Sequence, residues 1–425
     1  MSFPWLADPD RYTHPRLSWL LACAFKVVLN RLFRIEHDLP PNYRSPSGCL
    51  LVSNHLRDSD GPIIGQLMFG RKGYRLRNPL PFFVMREDLY QREGLANLLF
   101  TFPWPFIRLL GLIPIKWLFG NVRTWPLRRL REFTWHDTLR ELVEAGWGDA
   151  DPKEVFNARG RAELTQCLGK LPARVDAINP WKLGRMRVAH WGLRRLSVKT
   201  LDRLAPSFRE TVEQQLRLFA QALDAGQNVY FAPEGHVSMD GHFGRIRAGT
   251  WLLGRMTKHA LPIQPFSLSY DPLGPGRTRI VVRHGELLED LDYRNSRRLA
   301  ERLRAELLAR RVVTPSHLLA HFLCVRSTPF GVHELAAWLD EATAVAQDVH
   351  VMIDPLFGRV SSEALADERL RWLARKRLVW PAHGMWQRRF SPDTPPTWRS
   401  TPGTVRYLAS TLADFAPEFA KALPR

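Results

Sequence analysis

Five strand-length apolar runs, each closing on polar or turn residues, constrain this chain more than anything else in it. They are SGCLLVSNH (47–55), PFFVMRE (81–87), NVYFA (228–232), LPIQPFSLSY (261–270) and TRIVVRHG (278–285). Runs this short, rich in Val, Ile, Phe and Tyr, are buried strands. Helical patterns lie between them. PIIGQLMFG follows the first, and a helix starting at Ser207 precedes the third. There Ser207 and Glu210 form a capping box, Val212, Leu216, Phe219 and Leu223 line one face, and Gly226 stands at the C-cap. Strand and helix in alternation predict the α/β class, in which ligands gather at strand ends.

The alternation lapses twice. Residues 120–205 read as an inserted block of irregular helices, with loops at GDADPKE and INPWK, and beyond 292 the chain turns mainly helical through RRLAERLRAELLARR, LAAWLDEATAVAQ and ERLRWLARKRLVW. A chain of 425 residues exceeds the ~250–300 that one core usually serves. The predicted layout is an N-terminal segment (1–40), a main domain (41–291) carrying the insertion, and a smaller helical C-terminal domain (292–425).

Charge narrows the partners. The 61 Lys and Arg against 42 Asp and Glu give a net +19, which calls for an anionic partner: nucleic acid, an anionic bilayer or phosphorylated substrates. The 15 Trp and 23 Phe favour the bilayer, since aromatic rings beside basic groups suit the headgroup region. No helix-turn-helix, zinc or base-stacking motif supports nucleic acid. LSWLLACAFKVVLNRLF (17–33), interrupted by Lys26 and Arg31, reads as a helix lying in the interface. Leu95 to Phe119, with Pro103, Pro105 and Pro114, reads as two short apolar helices joined at a kink. Both also fit buried core helices. The segment 181–203 sets two Trp among seven Lys or Arg, which suits acidic headgroups, a nucleic-acid backbone or plain solvent. Cys23, Cys49, Cys167 and Cys324 are widely spaced and form no metal or redox pair, as in a cytosolic protein. A secretory signal and an ordinary spanning helix are not expected.

The first strand ends in NHLRDSDG (54–61). If the loop turns back, Asp60 can take a hydrogen bond from one nitrogen of His55 and leave the other free to accept a proton. This is a base and its orienter without a nucleophile, so the attacking group would be a hydroxyl of the substrate. Taken alone, the pair also fits a loop histidine bound to a neighbouring carboxylate.

Further blocks add to it. Asn54, His55 and Asp60 match N-H-x-x-x-x-D after a strand. Ala232-Pro233-Glu234-Gly235, continued by Asp240-Gly241-His242-Phe243-Gly244-Arg245-Ile246-Arg247-Ala248-Gly249, is similar to F-P-E-G and D-G-x-x-G-x-[FY]-K-x-G, and Leu261-Pro262-Ile263-Gln264-Pro265 supplies a proline in an apolar strand. A looser block covers Val84 to Leu89 and Leu110 to Ile115. In this order and spread over 50–270, the blocks resemble the glycerolipid acyltransferase family, which acylates glycerol 3-phosphate, lysophosphatidate and related acceptors. Val313 to Leu318 and Arg406 to Ser410 are similar to the accessory helical region of the larger glycerol-3-phosphate acyltransferases.

The resemblance implies a mixed sheet flanked by helices and a membrane-associated O-acyltransferase of phospholipid biosynthesis. His55 would be the general base and Asp60 its orienter, with Asn54, Arg86, Glu234, Gly235, Arg245, Arg247 and Pro262 binding substrate or shaping its pocket. It implies no metal and no redox cofactor, because acyl-CoA or acyl carrier protein brings an activated thioester. Partners would be that donor and anionic lipids at the cytoplasmic membrane face, held peripherally or monotopically. The chain departs from the family at Val237 and Trp117, where arginines are usual. Arg86, Lys116, Arg245 and Arg247 are the candidates to replace them. Otherwise the acceptor is a lysolipid without phosphate, or the chain is a membrane-binding relative without activity. Asp58 is an additional carboxylate in the first motif, read as a solvated loop residue.

Overall fold

The computed structural model describes residues 15–70, 73–86, 120–127, 134–183, 192–391, 393–398, 400–415 and 417–424. In chain order the strands are β1 (Phe33–His37), β2 (Leu50–Ser53), β3 (Phe82–Arg86), β4 (Thr124–Leu127), β5 (Val229–Phe231), β6 (Ile263–Asp271), β7 (Thr278–His284), β8 (Val379–Ala382) and β9 (Met385–Arg388). Two compact units contain them. Residues 19–81 and 222–425 form one, and residues 1–18 and 82–221 the other.

In the larger unit five strands run in the order β1-β7-β6-β2-β5. Only β6 and β7 are antiparallel, as the short GPGR connection between them requires; the others pair parallel. The class is therefore α/β with a mixed, mostly parallel sheet flanked by helices. Central β2 shows why its run lacks alternation: Leu50, Leu51 and Val52 are all fully buried, each such side chain stabilising by about 1.5–3 kcal/mol. Val52 lies opposite both Phe231 and Pro265. The loops after β2 and β5 consequently emerge side by side.

The helical segments after β7 share this unit. Helices Ser296–Ala309, Pro315–Val325, Val332–Asp348, Ser362–Arg375 and Thr401–Thr411 follow it, and all but the first contribute to a core that includes Leu318, Phe322, Leu339, Leu370 and Leu408. A buried ion network ties them to β6 and β7. Arg369 holds Asp271 at 2.8 and 3.1 Å, Ser316 donates to the same carboxylate, and Arg279 reaches Asp354 and, at 2.8 Å, Glu36. Burial pushes the Asp271 carboxyl up, but Arg369 and Ser316 outweigh it and hold the carboxyl below its usual range. The β8–β9 hairpin corrects the helical reading of ERLRWLARKRLVW, because that helix ends at Arg375 and Val379 enters a strand.

The smaller unit pairs β3 and β4 in parallel and packs short helices around Trp135, Leu139, Phe156, Leu164 and Phe208. Its longest helix begins at Val198, not Ser207, and encloses Pro206. Ser197 takes the capping role, its hydroxyl accepting from Thr200 N at 3.3 Å. The predicted C-cap holds, with Gly226 at φ +79°. The apolar segment 95–119 lies outside the described residues, as does the middle of the basic segment 181–203.

Helix Pro15–Leu32 is inverted relative to an ordinary surface helix. Lys26 is buried, donating to the carbonyls of Gly70 (3.2 Å) and Gly73 (2.7 Å) and lying over the Phe69 and Tyr74 rings. Its charge thus faces protein and not a headgroup. Leu20, Phe25, Val27, Val28 and Leu32 are 43–57% exposed. Among the described residues no helix is long and apolar enough to cross a membrane.

Candidate active site

His55 leaves the buried end of β2 on a loop that Asp60 closes. Asp60 is fully buried, and its Oδ2 accepts from His55 Nδ1 (3.2 Å), Leu56 N (2.7 Å) and Arg57 N (2.8 Å). Its Oδ1 accepts from the Tyr270 hydroxyl at 2.5 Å, and Ser59 Oγ lies 3.1 Å from that hydroxyl. Burial pushes the Tyr270 phenol well above its usual range, so it remains a neutral donor. With Nδ1 donating to Asp60, the imidazole presents Nε2 to incoming groups. The His55 side chain keeps 13% of its surface exposed. The expected pairing of histidine and carboxylate is therefore present, and Tyr270, which the sequence marked only as the end of a strand, completes it.

The loop after β5 is pegged to the first by Glu234. Its Oε1 accepts from His55 N at 2.7 Å and its Oε2 from Gly244 N at 2.6 Å, while Ser238 N donates to the His55 carbonyl at 2.9 Å. Burial pushes the Glu234 carboxyl upward, against the pull of those two N–H groups and of nearby Arg311. Gly235 turns the chain at φ +74°, where a side chain would be strained and would press on Arg247.

Three residues assigned to substrate binding have other duties. Asn54 is fully buried, and its carboxamide is consumed by the Leu268 backbone, at 3.0 Å to the carbonyl and 2.7 Å from the N–H. Glu234 spends both oxygens on loop backbone. Pro262 sits at the opposite end of the sheet, its carbonyl accepting from Leu50 N. The register puts Phe266 beside Ser53, so Pro262 lies four residues short of that end, roughly 13 Å away.

The proposed phosphate ligands divide. Arg247 donates Nε to the Glu234 carbonyl at 3.3 Å, Arg245 is exposed, and Arg86 closes β3 in the other unit with a side chain outside the described residues. Lys116 and Trp117 are also outside them. Val237 is half-buried and Asp58 exposed, the latter as expected.

The helical segments bring further residues that the sequence did not signal. Thr314 Oγ1 donates to the Tyr270 carbonyl, and Thr411 Oγ1 donates to the Gly241 carbonyl, both at 3.1 Å. Arg311, 1% exposed, lies over the Phe415 ring and makes no side-chain hydrogen bond among the described residues. Arg57 stands in the first motif itself, with its guanidinium 3.6 Å from the Trp398 ring centroid and 5.0 Å from that of Tyr270. Among the described residues no group of His, Cys, Asp and Glu could hold a metal ion. No protein-family model and no curated protein sequence matches the chain.

Proposed function

We propose that the chain is an O-acyltransferase that works at a membrane surface. The observation that carries this reading is His55, its Nδ1 fixed on a buried carboxylate that four donors hold in place, with Nε2 facing outward. Nε2 takes the proton of an acceptor hydroxyl as its oxygen attacks the thioester carbonyl of acyl-CoA or acyl carrier protein. The C–S bond then breaks, the imidazolium gives its proton to the departing thiolate, which leaves as the thiol, and an ester remains. Asp60 keeps the ring aligned and balances the imidazolium charge. General-base assistance of this kind contributes about 10²–10⁴-fold. Among the described residues no Ser, Thr or Cys side chain is hydrogen-bonded to His55, which agrees with direct transfer.

The solvent-facing apolar side of helix Pro15–Leu32 and the net charge of +19 support attachment to an anionic bilayer. A second reading follows from Val237, which stands where an arginine is usual in the third motif: the acceptor would be a lysolipid without phosphate. The test supplies labelled long-chain acyl-CoA or acyl carrier protein with glycerol 3-phosphate, lysophosphatidate or phosphate-free lysolipids on anionic liposomes. Acylated product that disappears in His55→Ala supports the proposal, and the acceptor used decides between the two readings. Failure of every acceptor overturns it and favours a membrane-binding protein without activity, and full activity in His55→Ala overturns the role of His55 as base.

A further inference from the structure

Beside the His55 loop lies a cavity of about 240 Å³ whose walls include Arg57, Trp372, Trp398, Ser400, Thr401 and Thr404. Arg57 enters it with an unusual lack of partners. Its guanidinium makes no side-chain hydrogen bond or ion pair among the described residues, and its Nε is buried. Neither adjacent Asp58 nor Asp60 bonds the guanidinium; Asp60 spends Oδ1 on Tyr270 and Oδ2 on His55 and two backbone N–H groups. Trp398 covers the guanidinium face, which leaves the N–H fork directed along the edge. A charge held this way has lost part of its hydration, and Asp60 compensates it only through space, with no direct hydrogen bond.

The opposite wall supplies hydroxyls. Ser400 Oγ accepts from Gly403 N at 3.2 Å, which leaves its own proton to give, and Thr401 has no side-chain hydrogen bond among the described residues. Thr404 gives its proton to the Ser400 carbonyl. The first turn of helix Thr401–Thr411 adds little of its own, because Gly403 N and Thr404 N are already bound by Ser400 and Pro402 has no N–H. The donors thus number an arginine fork and two hydroxyls, more than the two oxygens of a carboxylate require and a match for the three terminal oxygens of a phosphate monoester. Among the described residues no carboxylate lines the cavity, so a cation finds no counter-charge in its walls.

We propose that this cavity binds a phosphate monoester group, with Arg57 as principal donor and Ser400 and Thr401 as hydroxyl donors. The site stands on its own geometry; its role as substrate anchor rests on the acyltransferase reading above. Arg57 would then supply the charge that Val237 lacks. Such a group could come from the acceptor or from the nucleotide end of a coenzyme A donor.

The test is calorimetric titration of the full chain at constant ionic strength with sn-glycerol 3-phosphate and, separately, adenosine 3′,5′-bisphosphate. One of the two binds the wild type and His55→Ala with equal Kd, and Arg57→Ala weakens it about ten- to a hundredfold. Arg57→Lys, which keeps the charge but loses the fork, falls between, and Thr401→Val weakens it severalfold; these two variants carry the test if Arg57→Ala does not fold. The probe that binds identifies the source. Binding within twofold of wild type in all three variants, or no binding of either probe at millimolar concentration, overturns the proposal. Arg57-dependent binding without acyl transfer to any acceptor would leave the site standing and remove the acyltransferase reading instead.

Discussion

Tyr270→Phe removes one oxygen from the centre of the candidate site. That hydroxyl is the only protein partner of Asp60 Oδ1 among the described residues, and the carboxylate is fully buried. A hydrogen bond to a charged group contributes about 1.5–3 kcal/mol, and full burial keeps bulk solvent from replacing it. The other partner, Ser59, is half-buried and can turn to solvent, so its loss adds little. Urea unfolding at pH 7 should therefore show a deficit of about 1.5–3 kcal/mol. A double-mutant cycle with Asp60→Asn isolates the contact. The asparagine can keep an oxygen toward Leu56 N and Arg57 N and turn its NH₂ toward the tyrosine, so only the charge-assisted part is lost, and a coupling of about 1–2 kcal/mol follows. Costs that add to within about 0.3 kcal/mol, or a Tyr270→Phe deficit below about 0.5 kcal/mol, would show that the hydroxyl does not clamp the carboxylate.

His317 offers a pH test. Burial, with the Arg311 charge second, pushes its imidazole down to about 3 from the usual 6.5, and its Nδ1 accepts from Thr314 N at 3.1 Å. The unfolded chain binds that proton first, so stability is fully present above pH 6.5 and falls by up to about 1.4 kcal/mol per pH unit from there toward pH 3. His317→Asn keeps an acceptor near Thr314 and should flatten this slope in chemical unfolding between pH 6.5 and 4; an unchanged slope refutes it. Arg369→Met removes the bidentate partner of Asp271 and leaves, among the described residues, only Ser316 and, at 3.8 Å, Arg279; it should cost about 3 kcal/mol, whereas a cost under 1 kcal/mol would mean the ion pair is not sequestered. Replacing Leu20, Val28 and Leu32 together by Ser should lower liposome partitioning at least tenfold with no loss of thermal stability, since all three are more than half exposed. Undiminished binding would place the contact elsewhere.

The strands were legible because their runs are buried and short, and β2, β5, β6 and β7 lie where the apolar patterns put them. The His55–Asp60 pair was legible because five residues of one loop suffice to make it. β1 escaped notice because FRIEH is half polar and continues a helical pattern. Pro206 hid nine residues of helix, since a proline normally marks a first turn and not an interior. Tyr270 and Arg311 carry no local mark at all. Their meaning comes from strand register and from segments that return to the site late in the chain. For the same reason Asn54 and Glu234 read as ligands: a buried polar side chain looks identical in sequence whether it meets a substrate or a distant backbone.

The Glu234 peg and the Tyr270 clamp also set a schedule for the nascent chain. They join residues 179 and 210 positions apart, so at synthesis rates of ~5–20 residues per second the His55 loop waits about 10–40 s on the ribosome before its last partner emerges. Until then Asp60 has only its own loop to hold it, and no fragment ending before Tyr270 can clamp its Oδ1. The candidate site is thus incomplete until Tyr270 has been made.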